Sequence, residues 1–237
     1  MPLTISAAAA TQSPAQTLLR VTQFFSGVAK RSVYLSLFLE DPLALSELVK
    51  LASLSPWVLE HISHDPLLLD ELLNPNKLYE PLIKQELSSA LKEKLSGIDC
   101  NDVESQLQEL RYFQLVYILR VAAADISGAI PLITVSDYLS DIAEVLLEEA
   151  ACLAWRAASE MFGFSDVEAE PLKGFGVIAR GALGARELSY DSTLELEFLF
   201  NKEMELSVGL DTRNVARFVA RRLNLLMTTY VIRKGTK

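Results

Sequence analysis

The chain has 237 residues, half of them hydrophobic, and a formal net charge of −9. That length and apolar content support a sizeable core, as one large domain or two small ones. The acidic balance argues against a nucleic-acid backbone as the main partner, yet leaves room for a small phosphate-bearing ligand that needs only a local patch or a bound metal ion.

Cys100 and Cys152 are the only cysteines and lack metal-site spacing, which points to a reducing compartment. No basic-then-apolar leader opens the chain, and no uninterrupted apolar run reaches about 18 residues. The expectation is a soluble, cytoplasmic protein with no membrane partner.

Residues 1–12 are small and polar and are expected to fray. Ser13-Pro14 reads as a cap followed by proline at the first helical position, opening a helix that buries Leu18, Val21 and Phe25. A second helix is predicted from about Ser32 to Leu39. Asp41-Pro42, Ser55-Pro56 and Asp65-Pro66 then repeat the cap-and-proline signal, each predicting the start of another short helix. His61 and His64, the two histidines, stand three apart without a further soft ligand. A helix-surface position is expected for both. Trp57 and Leu67 to Leu69 are assigned to core or interhelical contacts. Asn74-Pro75-Asn76 breaks the chain, and Pro81 is read as the start of a charged helix to about Leu95.

Asn101 and Glu104 form a capping-box pattern ahead of a long helix with Val103, Leu107, Leu110, Val116 and Leu119 as its buried stripe. Ala122 to Ala124 would admit a close neighbour, and Ser127-Gly128 ends or kinks the helix. Pro131 falls in the connection. Thr134 or Ser136 caps a second long helix that buries Leu139, Ile142, Ala143, Leu146, Ala150, Leu153, Ala157 and Met161 and stops at Gly163. A linker from Phe164 to Lys173 follows.

The hydrophobic period then changes. Gly174 to Ala179 reads as a short buried strand, and Gly181 and Gly184 bracket a turn where backbone could approach a phosphate closely. From Asp191 to Phe200 the period is two: Leu194, Leu196, Phe198 and Phe200 face one way, and Asp191, Thr193, Glu195 and Glu197 the other. Such carboxylates can share a face and hold Mg²⁺, and the same pattern also serves as the wet side of a half-buried strand. No Gly-Lys-Ser/Thr follows the glycines, so the turn is neither a P-loop nor a dinucleotide fingerprint. Leu206 to Val208 reads as a further strand. Asp211 or Thr212 caps a helix burying Val215, Phe218, Val219, Leu223, Leu226 and Met227, with Arg213, Arg217, Arg221 and Arg222 outward. Tyr230 to Ile232 is a candidate edge strand. The fold class is therefore α+β: a helical region over 1–165 and a small mixed α/β domain over 166–237, with an exposed sheet edge suited to homodimer or partner pairing.

The stretch GFGVIARGALGARELSYDSTLELEFLF resembles the nucleotidyltransferase signature of the bacterial glutamine synthetase adenylyltransferase family, G-x-G-K-L-G-x-x-E-L-x-x-x-S-D-[IL]-D-L-I-F. Gly181, Leu183, Gly184, Glu187, Leu188, Ser192, Leu194, Leu196 and Phe198 follow the pattern, with Tyr190 on one of its open positions. Ala179 stands for its first glycine, Ala182 for its lysine, Thr193 and Glu195 for its two metal aspartates, and Glu197 for the isoleucine before the phenylalanine. The segments RSVYLSLFLEDP, LASLSPWVLEHISHDPLLLDELLNPNKLYEP and LRYFQLVYILRVAAADISGAIPLITVSDYLSDIAEVLLEEA are similar to those that precede the family's second nucleotidyltransferase domain.

The resemblance implies a truncated, polymerase-β-type nucleotidyltransferase-like domain whose V-D-x-R-L-R-P strand has no counterpart at Tyr230 to Lys234. In the family, a tyrosine hydroxyl attacks the α-phosphate of ATP with Mg²⁺ bridging the phosphates. Carried onto this chain, Glu195 and Asp191 become the candidate catalytic and metal-binding residues, and Gly181, Gly184 and Ser192 the nucleotide-binding ones. The cofactors implied are Mg²⁺ and ATP, and the partners glutamine synthetase or a nitrogen-signalling protein. With the lysine and aspartates substituted, the expected function is a degenerate nucleotide- or protein-binding module, the alternative being an active adenylyltransferase.

Overall fold

The computed structural model describes residues 2–28, 36, 38–164, 172, 174–201 and 211–228. The strands expected at Leu206 to Val208 and Tyr230 to Ile232, nearly all of the Phe164–Lys173 linker, and most of the helix expected from Ser32 lie outside them. The chain folds into two compact units, Met1–Pro81 with Leu115–Val135, and Leu82–Gln114 with Ser136–Lys237.

Proline sets the rhythm of the first unit. Its helices are α1 (Pro2–Ala9), α2 (Pro14–Val28), α3 (Pro42–Leu54), α4 (Pro56–His64), a 3₁₀ segment (Pro66–Leu73) and α5 (Pro75–Leu78). Each opens on a proline, whose fixed φ suits the first turn and whose missing N–H would have had no helical partner there. At α3 the cap is complete: Asp41 Oδ1 accepts from the Leu43 and Ala44 N–H groups at 2.9 and 3.2 Å. The starts expected after Asp41, Ser55 and Asp65 are all present, and Asn74-Pro75 opens a helical turn rather than simply breaking the chain.

Residues 2–9 do not fray. Their alanines favour helix, and α1 packs on α2 and α3 with Thr4 and Ala8 buried. In α2 the buried stripe is Thr17, Val21, Phe24 and Val28, a shift of one residue that leaves Leu18 and Phe25 half-buried. Arg20 closes the α2–α3 contact by donating to Ala52 O at 2.8 Å. Leu68 and Leu69 are core, while Leu67 is exposed.

His61 departs from the surface position expected of it. It is buried in α4, stacks on Trp57 at 4.9 Å between ring centres, and places Nε2 3.3 Å from Leu115 O. Helical spacing carries His61 inward alongside Val58 and Ile62, whereas His64, three residues on, stays exposed with Nδ1 2.7 Å from Glu60 O. Burial lowers the His61 pKa below the ordinary 6.5, against the opposing pull of Leu115 O and Asp65.

The second unit holds α6 (Lys84–Leu95), the first part of α7 (Val103–Ile126), most of α8 (Leu132–Phe162), strands β1 (Phe175–Arg180) and β2 (Glu195–Phe200), the single turn α9 (Gly181–Gly184) and α10 (Thr212–Met227). α6 starts at Lys84, not Pro81, because Glu86 reaches back to the Ile83 N–H at 3.1 Å and fixes the first turn there. The α7 cap is Asp102 rather than Asn101: its carboxylate accepts from Ser105 N and Oγ at 3.1 and 2.7 Å, while Asn101 donates to Glu160 at 2.7 Å. Val103 and Leu107 are half-buried, and Gln106, fully buried, donates to Asp99 O at 2.9 Å. α7 ends through Gly128 at φ +74°, with Ala129 N donating to Ala124 O at 2.8 Å.

α8 begins directly after Pro131, so Thr134 and Ser136 lie within it instead of capping it. Its expected interior is buried except for Met161, which is 66% exposed near the C-terminal end, and Gly163 at φ +71° is the stop. α10 is capped by Asp211, which accepts from Arg213 N at 3.0 Å. It buries Val215, Ala216, Val219, Leu223, Leu226 and Met227, with Phe218 half-buried against Phe162. Arg222 does not face outward with the other three arginines. It turns in to donate to Cys100 O at 2.8 Å, and desolvation lowers its pKa. No helix among the described residues is long and apolar enough to cross a membrane. The molecule is thus mostly helical with a small two-stranded β element near its C-terminal end.

Leu48 has no exposed surface, whereas Leu43 on the same helix is largely exposed. Leu48→Ala is expected to cost about 2–5 kcal/mol in urea unfolding, and Leu43→Ala under about 0.5 kcal/mol. A second expectation concerns pH. Because the folded-state pKa of His61 is depressed, the unfolded chain takes up the proton first, and stability falls as pH drops below 6.5. Melting temperatures of the wild type and His61→Gln, followed from pH 8 to about 5, should show a shallower acid slope for the variant.

Candidate functional site

β1 and β2 pair antiparallel in the register Phe175↔Phe200 through Arg180↔Glu195. β1 starts one residue later than expected and is not a buried strand. Only Phe175 is buried, stacked on Phe198 at 6.0 Å between ring centres, and Ile178 is exposed. β2 occupies just the second half of the alternating run. Asp191 to Leu194 are turn and extended loop, although exposure still alternates along them.

The turn between the strands is fixed by close backbone approach. A Cβ on Gly184 would stand 2.6 Å from Ala179 O, so any other residue there would displace the end of β1. Gly181 has φ +57°, and a Cβ on it would lie 3.1 Å from the Glu195 carboxylate. The turn closes on itself through Ala185 N to Gly181 O at 3.0 Å, Arg186 N to Leu183 O at 3.0 Å and Glu187 N to Ala182 O at 2.7 Å. Leu183 and Leu188 are its buried anchors, and the backbone at Gly181 and Gly184 is exposed.

Among the residues assigned to the site, the fold thus brings Gly181, Gly184 and Glu195 together. Asp191 is exposed in the turn before β2, off the ladder that holds Glu195. Ser192 is occupied with local structure: its Oγ accepts from Ser189 N at 2.9 Å and lies 3.0 Å from Ser189 Oγ. Glu197 forms an ion pair with Arg180 across the ladder. Among the described residues no group of three or more His, Cys, Asp or Glu side chains is placed to hold a metal ion.

Two cations that sequence reasoning passed over organise this region. Arg180 faces the acidic positions of β2. Arg186 leaves the signature turn and meets the acidic side of α8, with Asp141 at 2.8 Å, Glu144 at 2.9 Å and Asp137 at 3.6 Å. The Asp141 hydrogen bond, with the charges of Glu144 and Asp137, holds its guanidinium protonated above the ordinary value. A signal was present, since Asp137, Asp141, Glu144 and Glu148 recur at intervals of four, three and four on one helix face.

Residues 45–232 match the family model for glutamate-ammonia ligase adenylyltransferase. The chain is 42% identical over 226 residues to a bifunctional glutamine synthetase adenylyltransferase/adenylyl-removing enzyme of Thioalkalivibrio sulfidiphilus, covering 93% of this chain and 23% of that protein. It is 38% identical over 235 residues to the enzyme of the same description from Pseudomonas syringae pv. tomato, covering 97% of this chain and 24% of that protein. The class is therefore nucleotidyltransferase-related. The chain belongs to the glutamate-ammonia ligase adenylyltransferase family, and it spans under a quarter of the length of these two curated relatives.

Gly184→Ala should lower stability by about 1–3 kcal/mol, because the new methyl meets a backbone carbonyl that cannot rotate away. Gly176→Ala in β1 has nothing within 4 Å of the added Cβ and is expected to be neutral or slightly stabilising in the same thermal melt.

Proposed function

We propose that this chain is a non-transferring module of the family: it leads into and opens the second nucleotidyltransferase domain, and binds a nucleotide or glutamine synthetase without moving AMP. The observation that carries this reading is the state of the acidic face of β2. A metal-dependent site needs carboxylates free to take up Mg²⁺, which is strict about distance and geometry. Here Thr193 offers a neutral hydroxyl, Glu197 is tied to Arg180, and the Glu195 carboxylate lies where a side chain on Gly181 would meet it. Asp191, a further acid among the described residues, lies outside the strand. Ala182 supplies no cation where the family has lysine. These donors do not fit a tight Mg²⁺ site.

The turn itself favours binding. Exposed glycine backbone at Gly181 and Gly184 allows a ligand close approach, and the buried Leu183 and Leu188 hold that backbone in place. Glutamine synthetase is the protein partner of first choice because the relatives' descriptions name it.

The test pairs calorimetry with a transfer assay. Purified chain is titrated with ATP in Mg²⁺ and again in EDTA, then incubated with labelled ATP and glutamine synthetase. The expected result is no label on glutamine synthetase and a nucleotide affinity that EDTA leaves nearly unchanged. Magnesium-dependent labelling that is lost in Glu195→Ala would overturn the proposal and establish the active adenylyltransferase.

A further inference from the structure

We infer that Arg186 is a positioning residue: its guanidinium, held by Asp137, Asp141 and Glu144, fixes the Gly181–Leu188 turn onto α8 and sets the turn's shape. The inference rests on the reading of that turn as the binding element. Arg186 sits at φ +56°, a left-handed conformation that favours glycine and strains other residues. Glycine would relieve that strain, so an arginine there has to be held by what its side chain does.

The side chain makes one contact to each of three carboxylates. Nη2 meets Asp141 Oδ1, Nη1 meets Glu144 Oε1, and Nε faces Asp137 Oδ1. A planar guanidinium with donors in a fixed fork can meet three acceptors in one orientation only, which makes the contact directional as well as attractive. Glu144 also anchors the network from its other oxygen. Its Oε2 accepts from Lys84 Nζ at 2.7 Å, and Lys84 in turn meets Glu148 at 3.0 Å. A single exposed ion pair contributes little, but a network in which one carboxylate serves two cations resists the loss of any one contact.

The position in the chain gives the contact its reach. Arg186 N donates to Leu183 O, and the next amide, Glu187 N, donates to Ala182 O. Releasing the guanidinium therefore loosens the two hydrogen bonds that shape the turn, while the buried α8 stripe keeps its own packing. A residue that merely added stability to the unit would not act so locally.

Hydrogen exchange on the intact chain, read by mass spectrometry without nucleotide, separates the two. Arg186→Met and Arg186→Gly should each speed exchange in the peptide spanning residues 181–190 by about tenfold, with residues 142–158 unchanged. Arg186→Lys, which retains the charge without the fork, should fall between. Asp141→Arg, which sets a cation against the guanidinium, should speed exchange in the same peptide, and combining it with Arg186→Asp should recover part of the protection. The inference is overturned if Arg186→Gly is as protected as the wild type, or if exchange rises equally over residues 142–158. Because no nucleotide is present, this result stands apart from the outcome of the ATP titration.

Discussion

The arrangement at the C-terminal end depends on one missing atom. With no Cβ on Gly184, the turn folds back until its backbone rests on the carbonyl of Ala179, the next-to-last residue of β1. That approach decides where the chain goes next. It places Gly181 in its left-handed conformation over the Glu195 carboxylate, directs Leu183 and Leu188 inward, and sends Arg186 towards the acids of α8. The strand pair is only six residues long on each side, so it could not hold this geometry by its own ladder. Close packing of backbone on backbone and the ionic tie supply what the sheet lacks.

The charges around the turn form a system with two parts. On the β2 side, acids outnumber cations by position, and Arg180 is committed to one of them. On the α8 side, four carboxylates share Arg186 and Lys84. The parts of the family signature that shape backbone, the glycines and leucines, are those the structure uses to build the turn. The positions where the signature has lysine and aspartate carry alanine, threonine and glutamate here. A protein can keep the first set for stability alone, because glycine contacts and buried leucines affect folding whether or not chemistry takes place.

Local chemistry was legible in the sequence, and distant pairing was not. Pro14, Pro42, Pro56 and Pro66 as helix starts, Asp41 and Asp211 as caps, and Gly128 and Gly163 as stops act within four residues and were readable, whereas the helices opening at Pro2 and Pro75 were not expected. Errors of one or two residues arose where neighbouring side chains compete for one role, as Asn101 and Asp102 do, or where a proline sets the helix start ahead of a threonine, as Pro131 does for Thr134. His61 was misplaced for a different reason. Its surroundings come from Trp57 and from Leu115, which is 54 residues away, and a polar label said nothing of either. Arg186 was overlooked on similar grounds: its partners lie 42 to 49 residues upstream. Asp191 and Ser192 show the opposite limit, where a regular alternation of residues extended beyond the strand that would have given it meaning.

The interleaving of the two units bears on how the chain is made. Leu82–Gln114 belongs to one unit but is synthesised between the two stretches of the other. The proline-punctuated helices can form as they emerge from the ribosome, since their boundaries are encoded locally. Their unit, however, stays open until Leu115–Val135 arrives, a delay of a few seconds at about 5–20 residues per second. During that interval α4 and the 3₁₀ segment lack the partners that Leu115 and Arg120 bring, which is when a chaperone would have something to hold. Gene fragments that stop at Pro81 would make that exposure permanent.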